Sequence, residues 1–262
     1  MHHIDELPTR MRTEAAPVHG PAAPLLKVLA YTTLLFILLS CSTAVKVTEK
    51  KLHYLRHRKQ SVYPLHRNIR TTYFYVGQHE RSGGHLLDNR SSAWTGDWVG
   101  SFGGVDFPHR REGYHPRGFV PRENPFYCAL PYNDIVPEGR REHACSLIPW
   151  AALTGTPAVD DAGGTVSLCK NRWVRIVFKG RVAYAQWEDV GPFVTDDAAY
   201  VFGGADPRNR SNGGAGLDVS PAVRDYLGME NSGYTDWQFV EAEAVPPGPW
   251  LDIVSTSDPC WD

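Results

Sequence analysis

The sequence is short of several things, and each shortage closes off a class of function. It has no basic excess: 27 Lys and Arg stand against 29 Asp and Glu, a net charge of -2. That argues against general nucleic-acid binding, which needs a strong positive balance to neutralise phosphates. Its cysteines, Cys41, Cys128, Cys145, Cys169 and Cys260, include no pair at CxxC spacing, so a structural zinc site is not indicated. The histidines are scattered through loop-like and terminal stretches, so neither a metal site nor a cofactor is expected. The longest apolar run, 28–39 (VLAYTTLLFILL), falls short of the roughly 20 residues that span a bilayer. The glycine-rich segment 203–216 lacks a Gly-Lys-Ser/Thr ending, which removes the usual phosphate cradle. There is no internal repeat.

What is present points to β structure. Twelve Tyr, eight Trp and ten Phe accompany 24 Gly and 20 Pro in 262 residues, an aromatic, turn-rich composition. Strands are predicted over 71–76 (TTYFYV), 126–130 (FYCAL) and 173–178 (WVRIVF). Lys179-Gly180-Arg181 makes a hairpin turn, and 182–187 (VAYAQW) is the return strand. Asp189-Val190-Gly191-Pro192-Phe193 leaves that strand through a turn, 199–202 is a short strand, and 203–216 is a loop. Ser220 fits a helix N-cap with Pro221 at the first helical position; Val223, Tyr226 and Leu227 form an apolar stripe, and Gly228 fits the C-cap. Residues 235–242 (TDWQFVEA) alternate as a strand.

The N-terminal part reads differently. Lys27 precedes the apolar run, whose length suits a signal-peptide core of about 7–15 residues. The run ends Leu38-Leu39-Ser40-Cys41-Ser42, which resembles the bacterial lipoprotein processing site. The resemblance implies cleavage before Cys41 and lipid on it, a membrane anchor made stable by several acyl chains. Ser42 after the cysteine resembles an outer-membrane address, with the chain facing the periplasm. Three segments are therefore expected: a signal peptide over 1–41, a basic tether over 42–70 and one domain over 71–262. The tether is either a solvated linker or a contact for anionic lipid or cell wall. Cys128, Cys145, Cys169 and Cys260 remain as an even set in an exported chain. One or two disulfides are expected, with the pairing open.

Within 71–262, Asp189-Val190-Gly191-Pro192, Asp218-Val219-Ser220, Leu227-Gly228 and Ala129-Leu130-Pro131 occur in order with the strand Thr71-Thr72-Tyr73-Phe74-Tyr75. This set resembles the double-psi β-barrel shared by rare lipoprotein A, expansins and expansin-like endoglucanases. The resemblance implies an all-β, six-stranded double-psi barrel with long loop insertions and one or two short helices. It implies peptidoglycan or another polysaccharide as partner, lying in a groove across the barrel. Asp218 matches the family's acid, which protonates the glycosidic oxygen in active members; that requires a carboxyl with a raised pKa. Tyr73, Tyr132, Asp134, Trp187 and Asp189 are the residues expected to shape the groove, Asp189 chiefly by holding its turn.

Two departures bear on activity. Hydrolytic relatives carry an Asp on the first strand, where this chain has Thr71-Thr72-Tyr73; Asp97, Asp106 and Asp134 are the candidate substitutes. His79 and His85 match the Gly-His pattern of rare lipoprotein A poorly. A lytic transglycosylase needs no activated water, so a single acid Asp218 is compatible with that reaction. The alternative is a non-catalytic glycan-binding module with Tyr73, Trp94, Trp98 and Trp187 as a stacking platform.

Overall fold

A computed structural model describes residues 63–82, 84–153 and 164–256. All belong to the second of the two units into which the chain divides, Lys59–Asp262. The lipidation candidate Cys41, the signal-peptide run and most of the tether lie outside the described residues, as does Cys260.

In chain order the strands are β1 (His66–Tyr73), the hairpin β2 (His79–Ser82) and β3 (His85–Asp88), the pair β4 (Arg111–Glu112) and β5 (His115–Pro116), then β6 (Tyr127–Leu130), and the pair β7 (Ile135–Val136) and β8 (Gly139–Arg140). They continue with β9 (Trp173–Phe178), β10 (Arg181–Val190), β11 (Leu217–Val219) and β12 (Gly233–Val240). Short α-helices stand between them: α1 (Trp98–Phe102), α2 (Ala144–Leu147), α3 (Ala198–Val201) and α4 (Pro221–Leu227). Six strands close a barrel in the order β1-β11-β6-β10-β9-β12. β1 runs parallel to β11 and β6 parallel to β10, and the remaining neighbours are antiparallel.

The local signals explain the elements. Lys179 and Gly180 both have positive φ, 47° and 80°, as a two-residue hairpin turn between β9 and β10 requires. Ser220 Oγ accepts the Val223 N–H at 3.2 Å and opens α4. At its end Gly228 takes the left-handed conformation, with Gly228 N–H on Asp225 O and Met229 N–H on Arg224 O, the Schellman arrangement. β6 is buried along its whole length because both of its faces are covered. Cys128 and Leu130 face the barrel core with Trp187, Ile176, Val219, Trp237 and Phe239. Tyr127 and Ala129 face outward onto a second cluster with Phe74, Val76, Trp98 and Phe102. Several core rings meet edge-on, as Trp237 and Phe239 do at 5.2 Å and Trp150 and Phe239 at 4.9 Å, while Phe202 stacks on Phe239. Truncating one such ring costs about 3–5 kcal/mol.

Three expectations are corrected. The strand expected over 199–202 is the helix α3, closed by Val201 N–H on Asp197 O and Phe202 N–H on Ala198 O. A short apolar run does not by itself discriminate the two periods, and here packing Tyr200 and Val201 into the core decides it. The first strand begins at His66, inside the stretch read as tether. Its anchor is His66, stacked on Trp237 at 3.9 Å, with an imidazole that burial pushes down to about 4. The expected disulfides are absent among the described residues: Cys128, Cys145 and Cys169 are free thiols, the first and third buried and Cys145 exposed. No helix among the described residues is long and apolar enough to cross a membrane.

Candidate functional site

The site begins with one irregularity in β10. Gln186 and Trp187 pair with Tyr127 and Cys128 of β6, but the next pair is Asp189 with Ala129. Glu188 is thus an extra residue, a β-bulge. Alternation along β10 sends Ala183, Ala185 and Trp187 into the core. Without the bulge Asp189 would follow them inside, because a one-residue slip exchanges the two faces. With it, Asp189 is turned outward beside Ala129. The indole of Trp187 holds the bulged backbone by donating to Asp189 O at 2.7 Å.

On the other side of Ala129, β11 places Asp218 at the same level. Beyond it, β1 places Thr72. Four adjacent strands therefore carry one transverse row, Thr72, Asp218, Ala129, Asp189. The two aspartates stand two strand spacings apart at the backbone, about 10 Å, with only a methyl group between them. This row forms part of the lining of an open cleft of about 590 Å³. Its other walls come from the β2–β3 hairpin (Leu86, Leu87, Asp88), the turn 191–193 and the loop at Ser211 and Asn212.

The two carboxyls are bound differently. Asp189 is buried, and its Oδ1 accepts the N–H groups of Ala93 and Val190, both at 2.8 Å. Desolvation raises its pKa to about 7, against the effect of these two donors and with help from the charge of Asp218. With both lone pairs of Oδ1 engaged, the proton belongs on Oδ2. Asp218 is half-buried and accepts the Thr72 hydroxyl on Oδ1. Burial raises it to about 6, and the Thr72 bond opposes the shift. A methyl group built on Gly191 would stand 3.9 Å from Asp218 Oδ2, so this oxygen lies beside the Gly-Pro turn. At the rim, Arg90 donates two guanidinium hydrogen bonds and its backbone N–H to Asp88 and holds that carboxyl well below the usual range, so it stays ionised.

Of the residues expected at the groove, the structure brings Asp218, Asp189 and Tyr73 together. The Arg224 guanidinium lies over the Tyr73 ring at 4.7 Å. Three others are elsewhere. Trp187 and Tyr132 are buried in the barrel core. Asp134 is fully buried, where it binds Arg140, the Ser167 hydroxyl and the Leu168 N–H; it is a clamp on the 135–168 insertion. The stacking platform is not assembled. Trp98 is buried with its indole on Glu123, and Trp94 is half-buried against Trp187 with its indole on Asn133. Nor do the substitute acids reach the row. Asp97 caps α1 through Gly100 N–H, and Asp106 is buried between Arg111 and the Tyr127 hydroxyl. His79 stands on the hairpin with Nδ1 3.4 Å from Asp88.

The sequence reading missed Thr72, Asp88, Leu86 and Phe193. Thr72 carries a usable signal: in an alternating strand it takes the face opposite to Thr71 and Tyr73. Leu86 and Asp88 carry none, since only the folding of the hairpin over the barrel brings them to the cleft. No family model matches the chain, and no curated protein matches it.

Proposed function

We propose that this chain is a cell-envelope lipoprotein whose barrel, of the double-psi kind, cleaves a cell-wall glycan with Asp218 as the proton donor. The observation that carries this reading is the row Thr72, Asp218, Ala129, Asp189 on the floor of an open cleft. A general acid must hold its proton near the working pH yet be able to release it. A carboxyl at about 6, oriented through Oδ1 by Thr72 and free on Oδ2, meets both demands.

In this mechanism Asp218 Oδ2 protonates the glycosidic oxygen and the bond to the anomeric carbon breaks. A hydroxyl of the same sugar then attacks that carbon, and its proton returns to Asp218. The product is an anhydro sugar and no water is consumed. Asp189 keeps the floor from accumulating a second negative charge while its own proton is held. The position beside Asp218 on β1 is Thr72, so a water-activating carboxylate is missing there, which favours the intramolecular route over hydrolysis. The binding-module alternative is weakened by the burial of Trp98 and Trp187, two of its four platform rings.

The test is incubation of the purified chain with peptidoglycan, with products analysed by mass spectrometry. Anhydro-ended fragments from the parent, lost in Asp218→Asn, are expected. Fragments of unchanged yield in that variant would sink the assignment.

A further inference from the structure

Arg70 is a half-buried cation whose side chain donates no hydrogen bond and forms no ion pair among the described residues. Its Nε is buried without an acceptor, while its two terminal nitrogens are open to solvent. The acids around it are engaged elsewhere. Asp236 is bound to Arg67 and to the Asn68 N–H at 2.8 Å, and Asp218 takes the Thr72 hydroxyl. Ile69 packs in the barrel core and the Thr71 hydroxyl meets that of Thr235 there. By alternation Arg70 and Thr72 share the outward face of β1, about 7 Å apart along the strand. Thr72 lines the cleft, so Arg70 stands just past one end of it.

Both flanks of Arg70 are built. On β12, Tyr234 pairs with it in register, and the guanidinium lies over the Tyr234 ring at 5.6 Å. On the β11 side the Gly216 N–H bonds to Arg70 O at 3.0 Å, and a methyl group built on Gly213 would stand 3.5 Å from Arg70 Nε. The same loop gives Ser211 and Asn212 to the cleft. Buried Asn209 pins it, accepting the Ser211 N–H and donating to Ser211 O and Ala215 O. The join between cleft and guanidinium is thus fixed before any ligand arrives.

We infer that the cleft ends in an anion subsite at Arg70, positioned by Tyr234, which takes a carboxylate carried by the glycan chain. The proposal rests on the glycan reading above and adds to it the charged substituent and the residue that reads it. The open terminal N–H groups form a fork that fits the two oxygens of a carboxylate, and the tyrosine face holds the cation over itself. A carboxylate on a sugar substituent and one on the first residue of an attached peptide present the same pair of oxygens. The floor of the cleft does not oppose it. Asp88 is paired with Arg90, and Asp189 and Asp218, raised to about 7 and about 6, hold their protons in mild acid.

The experiment is calorimetric titration, at pH 5, of the full-length chain carrying Asp218→Asn, which stops turnover and imitates the protonated acid. The ligands are tetrasaccharides of alternating N-acetylglucosamine and N-acetylmuramic acid in three forms: lactyl carboxylates free, methyl-esterified, or amide-bonded to L-alanine. The free-acid or the alanyl form should bind about ten-fold more tightly than the ester, with the gap narrowing at high salt; the tighter of the two assigns the source of the carboxylate. Adding Arg70→Gln should erase the gap and leave the ester's affinity unchanged, and Arg70→Lys should restore part of it. The proposal falls if the ester matches both acids, if no form binds, or if the gap survives Arg70→Gln. It falls equally if Arg70→Gln weakens all three forms alike, which would make Arg70 a brace of the sheet. Peptidoglycan cleavage by otherwise parental protein separates this from the preceding reading. Arg70→Gln should raise KM without moving kcat or the pH profile, because Arg70 is not among the groups that shift Asp218. Product lost in Asp218→Asn with KM unchanged in Arg70→Gln would retain the acid and discard the subsite. A carboxylate preference without product from the parent would do the reverse.

Discussion

Replacing Asp189 by asparagine should make the protein more stable at neutral pH, and the size of the gain follows from its surroundings. In the unfolded chain an aspartate titrates near 3.9. In the folded chain Asp189 is raised to about 7 by desolvation. Roughly three units at about 1.4 kcal/mol each give a ceiling of about 4 kcal/mol. The sign follows from proton uptake: between about pH 4 and pH 7 the folded state holds a proton that the unfolded state has lost. The contribution is therefore fully present below about pH 4 and is lost as pH rises through 7. Asparagine cannot ionise, and its carbonyl oxygen can keep both N–H bonds that Oδ1 now accepts. Urea unfolding followed by tryptophan fluorescence, at pH 4 to 8, measures the difference. Near zero at pH 4, it should grow to several kcal/mol in favour of Asp189→Asn at pH 8. Asp218, raised to about 6, leaves a smaller residual slope in the variant. A difference that stays flat, or a variant less stable than the parent at pH 8, would refute the desolvated floor and with it the acid pair.

Thr72→Val removes the hydroxyl that favours ionised Asp218. The alkaline limb of cleavage, or an NMR titration of the Asp218 carboxyl, should then move to higher pH. Asp134→Ala leaves the buried Arg140 without its counter-charge, with only the Val166 carbonyl to bond, and frees the Ser167 and Leu168 donors. The expected loss is about 3–5 kcal/mol of stability, read by urea unfolding, with glycan affinity of the folded fraction unchanged. Alkylation of the native chain followed by peptide mapping should label Cys145 and spare Cys128 and Cys169, whose thiols are buried and pushed far above their usual range. Labelling of Cys128 at the rate of Cys145 would contradict the packing of β6.

Much of the barrel was legible because its signals are local. The Lys179-Gly180 turn, the Ser220-Pro221 start of α4 and its Gly228 end each depend on a few neighbouring residues. The strands β9 and β12 alternate as half-buried strands should, and β10 does so over its first half, Arg181 to Ala185. Asp218 and Asp189 stood out as carboxylates at the ends of ordered elements. Helix α3 was misread because Ala199, Tyr200, Val201 and Phe202 suit either period. The tether's end was misread because basic residues around His66 concealed a strand whose buried positions are spaced by an irregularity between His66 and Ile69. Tyr132, Asp134 and Trp187 were placed in the groove on residue type, yet a tryptophan, a tyrosine and an aspartate serve a core or a buried ion pair as readily.

The sequence by itself determined the strands β9, β10 and β12, the hairpin between β9 and β10, the capped helix and the presence of two aspartates beside tight turns, since these follow from propensities and caps within a few residues. Only the tertiary structure decided that the aspartates belong to one site. Asp189 and Asp218 are far apart along the chain, and the parallel pairing of β10 with β6 and the antiparallel pairing of β11 with β6 bring both beside Ala129. The bulge at Glu188 then turns Asp189 out of the core. Desolvation, the main cause of both raised pKa values, comes from segments folded in from elsewhere in the chain and has no counterpart in the residues themselves.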